Sequence, residues 1–256
     1  MNLNSLLEQA KVAASMASEE ILKVYNSSDF EIETKDDQSP LTRADQAAHE
    51  VIAAVLERTS IPILSEEGAQ ISFSHRKSWE TFWLIDPLDG TKEFIKRNGE
   101  FTVNIALIHH HQPILGVVQT PVTADLYSAI KEYGAQKNGK KIQAASFDLN
   151  QSGLKVVASR SHLNTETQVF LNALIKPKIL SKGSSLKFLM VAEGEAHLYP
   201  RFAPTMEWDT AAAQIVLEEA GGKVIIQNSQ TPINYNKKNL LNPYFLAQGI
   251  EKNSHK

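Results

Sequence analysis

The residues best able to do chemistry in this chain are carboxylates placed where ordered segments end. Glu66 and Glu67 follow the apolar run Ile61-Pro62-Ile63-Leu64, Asp86 and Asp89 follow Phe82-Trp83-Leu84-Ile85, and Asp209 opens an apolar helical pattern. Carboxylates from separate strand ends, joined by a backbone carbonyl, make the oxygen-only cage that a hard cation such as Mg²⁺ requires. Leu88, between Asp86 and Asp89, is placed to offer that carbonyl. Pro87 fixes φ and removes an N–H, so the chain can wrap around an ion instead of continuing as a strand. Gly90 permits close backbone approach. A helix opening at Thr91 would turn its N–H groups toward phosphate oxygens, and the Thr91 hydroxyl could orient an attacking water.

Taken singly, Asp45, Asp209 and either glutamate fit a helix cap or a solvated loop equally well. Five carboxylates that each follow or open an ordered element, one pair of them in a Pro- and Gly-shaped loop, fit a site better than chance. The spacing Asp86-x-x-Asp89 differs from the D-x-D of phosphatases with an aspartyl nucleophile and favours metal ligation. Neither a Walker-type phosphate loop nor G-x-G-x-x-G is present. His109-His110-His111 reads as an exposed turn, since three consecutive residues of a hairpin cannot all face one ion. Trp83 and Trp208 read as core beneath the acidic loops, and Glu207 is a candidate for tuning a substrate.

Composition narrows the class. The chain of 256 residues is 42% hydrophobic, enough for one large domain or two modest ones. It has no cysteine, which removes disulfides, thiolate zinc and a thiol nucleophile. A net charge of -3 gives no broad positive field, so a nucleic-acid polymer is not expected as partner. No window approaches the apolar length of a transmembrane segment, and the N-terminus lacks a basic leader region. A cytoplasmic location is expected, with peripheral attachment at the cytoplasmic face of the inner membrane left open, as is the oligomeric state.

The elements that must carry these residues follow from periodicity. Leu3, Leu6, Leu7, Ala10, Ala13, Ala14, Ala17, Ile21 and Leu22 form one face of a long helix. A second helix is predicted from a cap at Thr42, with Asp45 three residues on and a stripe of Ala44, Ala47, Ala48, Val51, Ile52 and Val55. Antiparallel strands are predicted at Phe101 to Ile108, Ile114 to Thr120 and Leu126 to Ile130, with Asn138-Gly139 as a further tight turn. Helices are predicted at Ser184 to Val191 and Thr210 to Ala220, and strands at Val156 to Ala158, Val224 to Ile226 and Tyr244 to Leu246. A polar stretch near residues 145 to 153 suggests two domains, 1–149 with most of the carboxylates and 150–256 with Asp209.

Three segments, Leu64-Ser65-Glu66-Glu67, Trp83 to Phe94 and Trp208-Asp209-Thr210-Ala211-Ala212, resemble the signatures of the inositol monophosphatase superfamily in order and separation. Asp89-Gly90-Thr91-Lys92-Glu93-Phe94-Ile95 and Asn98 to Ala106 resemble its 3′(2′),5′-bisphosphate nucleotidases. Inositol monophosphatases typically carry Thr-Asn at the place of Lys92-Glu93. Gly183 to Phe188 and Leu198 to Phe202 are similar to the bacterial nucleotidases of sulfur assimilation.

The resemblance implies a mixed α/β (α+β) fold with a layered αβαβα sandwich. It also implies Mg²⁺-dependent hydrolysis of the 3′-phosphate of adenosine 3′,5′-bisphosphate, giving AMP and phosphate. The 3′-phosphorylated sulfate donor of the same pathway is a second candidate substrate, and an inositol or fructose bisphosphate phosphatase is the alternative. Carried over by position, Glu66, Asp86, the Leu88 carbonyl, Asp89 and Asp209 would hold two or three Mg²⁺ ions. Thr91, backed by Asp45, would activate the water that attacks phosphorus in line, with Glu67 orienting ligands or a water. A nucleotide bisphosphate would be met by Glu66, Leu88, Asp89, Gly90, Thr91 and Asp209 and by Ser159, His162, Ser184 and Lys187. Inhibition by Li⁺ follows from the same likeness. A non-catalytic sensor would keep the cage but would not need the Asp45–Thr91 pair.

Overall fold

In the computed structural model, residues 1–27, 33–34, 40–68, 70–158 and 164–252 are described, with the backbone alone at 33–34 and 40–41. Helix α1 (Leu3–Tyr25) is capped by the Asn2 side chain and buries Leu6, Ala10, Ala13, Ala14, Ala17, Ile21 and Val24. That face follows the three-and-four spacing predicted for it, extended by one turn. Two short strands, β1 (Glu33–Thr34) and β2 (Pro40–Leu41), lead into helix α2 (Arg43–Leu56). The predicted capping box forms: Thr42 accepts from the backbone of the first turn while Asp45 accepts from the Thr42 N–H. Ala44, Ala48, Ile52 and Val55 are buried as expected, whereas Ala47 and Val51 lie at the edge of the stripe and are half-buried. Fully burying Ile21 or Ile52 stabilises the packing of α1 on α2 by about 1.5–3 kcal/mol each.

A seven-stranded sheet follows. Its members are β3 (Ile63–Ser65), β4 (Thr81–Asp89), β5 (Thr102–His109), β6 (Gln112–Thr120), β7 (Asp125–Ile130), β8 (Gly134–Lys137) and β9 (Lys140–Lys141), in chain order across the sheet. Only β3 and β4 are parallel, so their C-terminal ends lie side by side. The short helices α3 (Phe73–Arg76) and α4 (Thr91–Ile95) sit in the connections. Two-residue strands β10 (Ser146–Phe147) and β16 (Ile250–Glu251) pair in parallel.

The smaller sheet has the order β12 (Lys178–Leu180), β11 (Lys155–Val157), β13 (Leu198–Arg201), β15 (Phe245–Gln248) and β14 (Lys223–Ile226). Helices α6 (Leu186–Ala192) and α7 (Ala211–Glu219) lie between the two sheets, and Phe188, Val216 and Phe245 share one core with Leu84, Ala106 and Val118. Helix α5 (Thr165–Asn172) covers the far face through Leu171 on Val156 and Leu198. The order of layers is therefore helix, sheet, helix, sheet, helix, the αβαβα arrangement expected. Among the described residues, no helix is long and apolar enough to cross a membrane.

One close approach joins the layers near the site. A Cβ added at Gly116 on β6 would lie 2.4 Å from Ile215 Cγ2 and 2.5 Å from the Ala212 carbonyl oxygen. Glycine at this point lets α7 lie directly on the large sheet. That contact brings Asp209, just before α7, to the end of β4 although the two are far apart in sequence.

Candidate functional site

The local geometry around Asp86 comes from a register change. Asp86 is paired with Asn104 and Asp89 with Thr102, so three residues advance on β4 while two advance on β5. In a regular strand, residues three apart face opposite sides; the extra residue of a β-bulge restores them to one side. Both aspartates thus face the layer of α6 and α7, while Leu88 joins the core formed with α1 and α2. The Leu88 N–H donates to Asp86 Oδ1 at 3.1 Å, which closes the loop around Pro87.

Side-chain oxygens of Glu66, Asp86 and Asp209 lie within 4.8 Å of one another, the one such metal-competent group of acidic or histidine side chains among the described residues. Glu66 reaches it because its N–H donates to the Ile85 carbonyl at 3.1 Å, continuing the parallel pairing past Ser65. Asp209 is fixed by the Met206 N–H on Oδ2 at 2.9 Å. Asp86 is 2% exposed, and burial, followed by the charges of Glu66, Asp89, Asp209 and Asp45, pushes its carboxyl well above the ordinary range. Burial, with Asp89 next, pushes Asp209 up to about 8. Carboxylates packed so closely destabilise their own charged forms, and a divalent cation removes that conflict. The donor set is all oxygen, which fits Mg²⁺ and not a soft metal.

Asp89 stands beside this group on the same face of the sheet. Its Oδ2 accepts from the Ser184 hydroxyl and the Ser185 N–H, both at 2.6 Å, and no described hydrogen bond reaches its other oxygen. Thr91 begins α4 as predicted, with Gly90 before it in the left-handed region at φ 96°. A Cβ at Gly90 would also press on the Glu100 carbonyl oxygen at 3.1 Å and on Ser184 at 3.2 Å. The Thr91 hydroxyl lies 3.2 Å from Asp45 Oδ1 and 3.4 Å from the Leu88 carbonyl. Asp45 is 1% exposed, and its other oxygen is held by the Thr42 N–H at 2.8 Å and the Thr42 hydroxyl at 2.5 Å. Its capping role and its contact with Thr91 are therefore compatible, one per oxygen. Glu67 is half-buried in the turn after Glu66.

A cleft of about 690 Å³ adjoins the carboxylates and is lined by Asp89, Gly90, Ser184, Lys187, Arg201 and Asp209 among others. Lys187 donates to the Ser184 carbonyl at 2.7 Å and lies 5.7 Å from the centre of the Tyr199 ring, and no described carboxylate pairs with it. Enclosure pushes its ammonium down to about 8 against the opposing pull of Asp89, with Arg201 adding to the fall. Arg201 uses Nη2 on the Pro204 carbonyl at 2.8 Å, while its buried Nε has no partner among the described residues. The cleft thus carries two cations with donors to spare next to an anionic cage. Ser159 and His162 lie outside the described residues.

Several expectations are settled by packing. Trp83 is fully buried and its indole N–H donates to Thr59 at 3.0 Å, and Trp208 packs against the main core. The histidines form a turn with φ of 45° at His110 and 64° at His111. His109 binds Thr81 and His111 binds the Tyr235 carbonyl, so they do not converge. Glu207 does not tune a substrate: it is 0% exposed and accepts from the Asn236 and Lys237 N–H groups and from Lys237 Nζ at 2.6 Å. It ties the Asp209 loop to the 234–242 segment. The helix predicted from Ser184 starts at Leu186, because Ser184 takes φ 52° and Ser185 occupies the position just before α6.

Arg201, in the Leu198 to Phe202 segment that carries the resemblance, lines the cleft, whereas sequence reasoning gave no role to Thr102, Asn104 and Ser185. Alternation along β5 could have flagged Thr102 and Asn104 as polar residues on an otherwise apolar face.

The sequence profile of the inositol monophosphatase family matches residues 2–255. The 3′(2′),5′-bisphosphate nucleotidase CysQ of Escherichia coli K12 is 45% identical over 94% of this chain and 98% of its own length. The protein of the same name from Salmonella typhimurium LT2 is 44% identical over 94% of this chain and 98% of its own length. Among solved structures, CysQ from Bacteroides thetaiotaomicron, described as a bacterial member of the inositol monophosphatase family, superposes with a TM-score of 0.87. It is 42% identical and the match covers 97% of this chain and 98% of that one. This chain belongs to the inositol monophosphatase family.

Proposed function

We propose that the protein is a 3′(2′),5′-bisphosphate nucleotidase that removes the 3′-phosphate of adenosine 3′,5′-bisphosphate to leave AMP. The chemistry class, a phosphoric monoester hydrolase, follows from family membership and from relatives named as nucleotidases at 45% identity over nearly the whole chain. The observation that carries the substrate assignment is the cleft beside the acidic cage, where Lys187 and Arg201 stand without carboxylate partners among the described residues. A substrate with one phosphate at the cage and a second within reach of two cations is a bisphosphate, and the volume of the cleft suits a nucleotide.

Glu66, Asp86, Asp209, Asp89 and the Leu88 carbonyl are the residues that would hold Mg²⁺, two or three ions in all. Bound Mg²⁺ supplies charge neutralisation at the phosphate and acidifies water. Thr91 has a single hydroxyl proton; pointed at Asp45, it leaves the oxygen lone pairs turned to accept a hydrogen bond from water, whose proton passes to Thr91 as the Thr91 proton passes to the Asp45 carboxylate. Gly90 and Thr91 bring backbone N–H groups to the phosphate oxygens, while Glu67 orients the Glu66 turn. Ser184, Lys187 and Arg201 bind the distal part of the nucleotide, together with Ser159 and His162. The packing of Glu93 against Gly183, where a Cβ would lie 2.7 Å from Glu93 Cγ, shapes this cleft at the Lys92-Glu93 position that differs from inositol monophosphatases. Inhibition by Li⁺ and a cytoplasmic location complete the reading.

The test compares Lys187→Met with the unaltered protein on adenosine 3′,5′-bisphosphate and on adenosine 3′-monophosphate, which lacks the second phosphate. The KM for the bisphosphate rises about tenfold or more, the worth of one charge-assisted contact, while the KM for the monophosphate stays within about twofold. Equal effects on both would remove Lys187 from the second-phosphate site.

A further inference from the structure

Asn104 is a polar residue at the centre of an apolar strand. It is 1% exposed, flanked by Val103 and Ile105, and shares its face of β5 with Ala106 and Ile108. Its Oδ1 accepts from the Ser185 hydroxyl at 2.9 Å, and its Nδ2, with two N–H donors, has no partner among the described residues. Burying an unpaired amide is costly, so one kept in a native chain points to a group it could serve.

The register identifies that group. Asn104 is directly opposite Asp86 in the antiparallel pair, and side chains so placed share one face with Cβ atoms about 4.5–5.5 Å apart. Asp86 is the complement of Asn104: a buried carboxylate whose one described hydrogen bond comes from the Leu88 N–H. We infer that Asn104 is a positioning residue for Asp86, its Nδ2 donating to the carboxylate when that group holds a cation. The inference rests on the reading of Glu66, Asp86 and Asp209 as a metal centre.

Ser185 decides which way the amide faces. An Asn side chain is nearly symmetric, and the reversed orientation would turn its oxygen toward a carboxylate. The Ser185 hydroxyl lies 2.9 Å from Asn104 Oδ1 and 2.8 Å from Thr102 Oγ1. Donation to Oδ1 leaves Nδ2 as the donor end of the amide, and Thr102 Oγ1 is shared between Ser185 at 2.8 Å and Ser184 at 2.6 Å. The Ser185 N–H meanwhile donates to Asp89 Oδ2. One residue of the inter-sheet layer therefore orients supports for two aspartates of β4. The pairing of Thr102 with Asp89 and of Asn104 with Asp86 makes β5 the supporting strand of the site. Groups that orient metal ligands in this manner typically contribute about 10–100-fold to metal affinity.

The test measures Mg²⁺ affinity, from the rise in Tm on titrating the metal-stripped full chain, for the unaltered protein, Asn104→Leu and Ser185→Ala. Asn104→Leu is expected to bind Mg²⁺ about tenfold or more weakly while its metal-free Tm is unchanged or higher, because it removes an unpaired buried amide. Ser185→Ala, which keeps the backbone donor to Asp89, is expected to weaken Mg²⁺ binding in the same direction with a folded metal-free state. A structural role alone would lower the metal-free Tm and leave the affinity in place. Affinities of both variants within twofold of the unaltered protein would overturn the inference while leaving the metal centre intact. No Mg²⁺-dependent rise in the unaltered protein would overturn the metal centre itself.

Discussion

The Thr91 hydroxyl lies 3.2 Å from Asp45 Oδ1, linking residues 46 apart in sequence. The two arrive from different elements, one opening α4 and the other closing the capping box of α2. Under the proposed function, this pair is what would distinguish a water-activating site from one that only binds metal. Replacing Thr91 by Val removes the hydroxyl without changing shape, so kcat should fall about 100-fold or more with Tm unmoved. Asp45→Asn should lower kcat comparably and cost about 1 kcal/mol of stability through the cap. Steady-state kinetics beside thermal melts would check both, and a kcat for Thr91→Val near that of the unaltered protein would exclude the pair from the reaction.

The acidic group predicts an inversion between stability and binding. Asp86, Glu66 and Asp209 repel one another when no cation is bound. Asp209→Asn keeps an acceptor for the Met206 N–H and removes one charge, so in a chelator at pH 8 the variant should melt higher than the unaltered protein. With Mg²⁺ added the order should reverse, because the variant gains little from the ion. Melts with and without the metal measure this directly; a variant less stable in both conditions would mean that repulsion is not what the cation relieves.

Gly116 makes the same site sensitive to a residue outside it. The space for a Cβ is taken by Ile215 at 2.4 Å and by the Ala212 carbonyl at 2.5 Å. Gly116→Ala must push α7 away from the sheet, at about 1–3 kcal/mol, and move Asp209 with it. The variant should show a Tm lower by several degrees and a weakened response to Mg²⁺. Loss of Tm with unchanged Mg²⁺ affinity would show that Asp209 does not depend on this contact.

A separate pH dependence comes from Glu218 on α7, which accepts from Gln214 Nε2 at 3.0 Å in a buried chain that continues to Tyr235. Burial pushes its carboxyl from 4.5 up to about 7, with the neighbouring Glu219 adding. A folded-state value above the unfolded one means that folding favours the protonated form. Stability from this group is therefore present below about 4.5 and is lost as the pH rises through about 7. Glu218→Gln should match the unaltered protein near pH 4.5 and exceed it at pH 8 by up to about 3 kcal/mol. Denaturant melts at the two values decide it, and a pH-independent difference would contradict the assignment.

What the sequence disclosed was local. Pro87, Gly90 and the carboxylates around them mark a loop by their own backbone chemistry, and Thr42 with Asp45 marks a helix start within one turn. What it concealed depends on residues brought together from a distance. Ser185 acquires a role only when α6 is laid against β5, some eighty positions away, and the bulge is visible only as a shift of β4 against its partner. Glu207 resembles a site residue in the sequence because it stands two residues from Asp209, and only the 234–242 segment shows that its charge is used internally. Arg201 lies in the Leu198 to Phe202 segment that carries the resemblance, but that its Nε is unpaired among the described residues shows only in the folded chain.

The central claim is tested most directly by stripping the protein of metal and measuring phosphate release from adenosine 3′,5′-bisphosphate, inositol 1-phosphate and fructose 1,6-bisphosphate, with and without Mg²⁺. The account predicts that the adenosine compound is hydrolysed far faster than the other two and only when Mg²⁺ is present. Preference for either sugar phosphate, or turnover that survives a chelator, would contradict it.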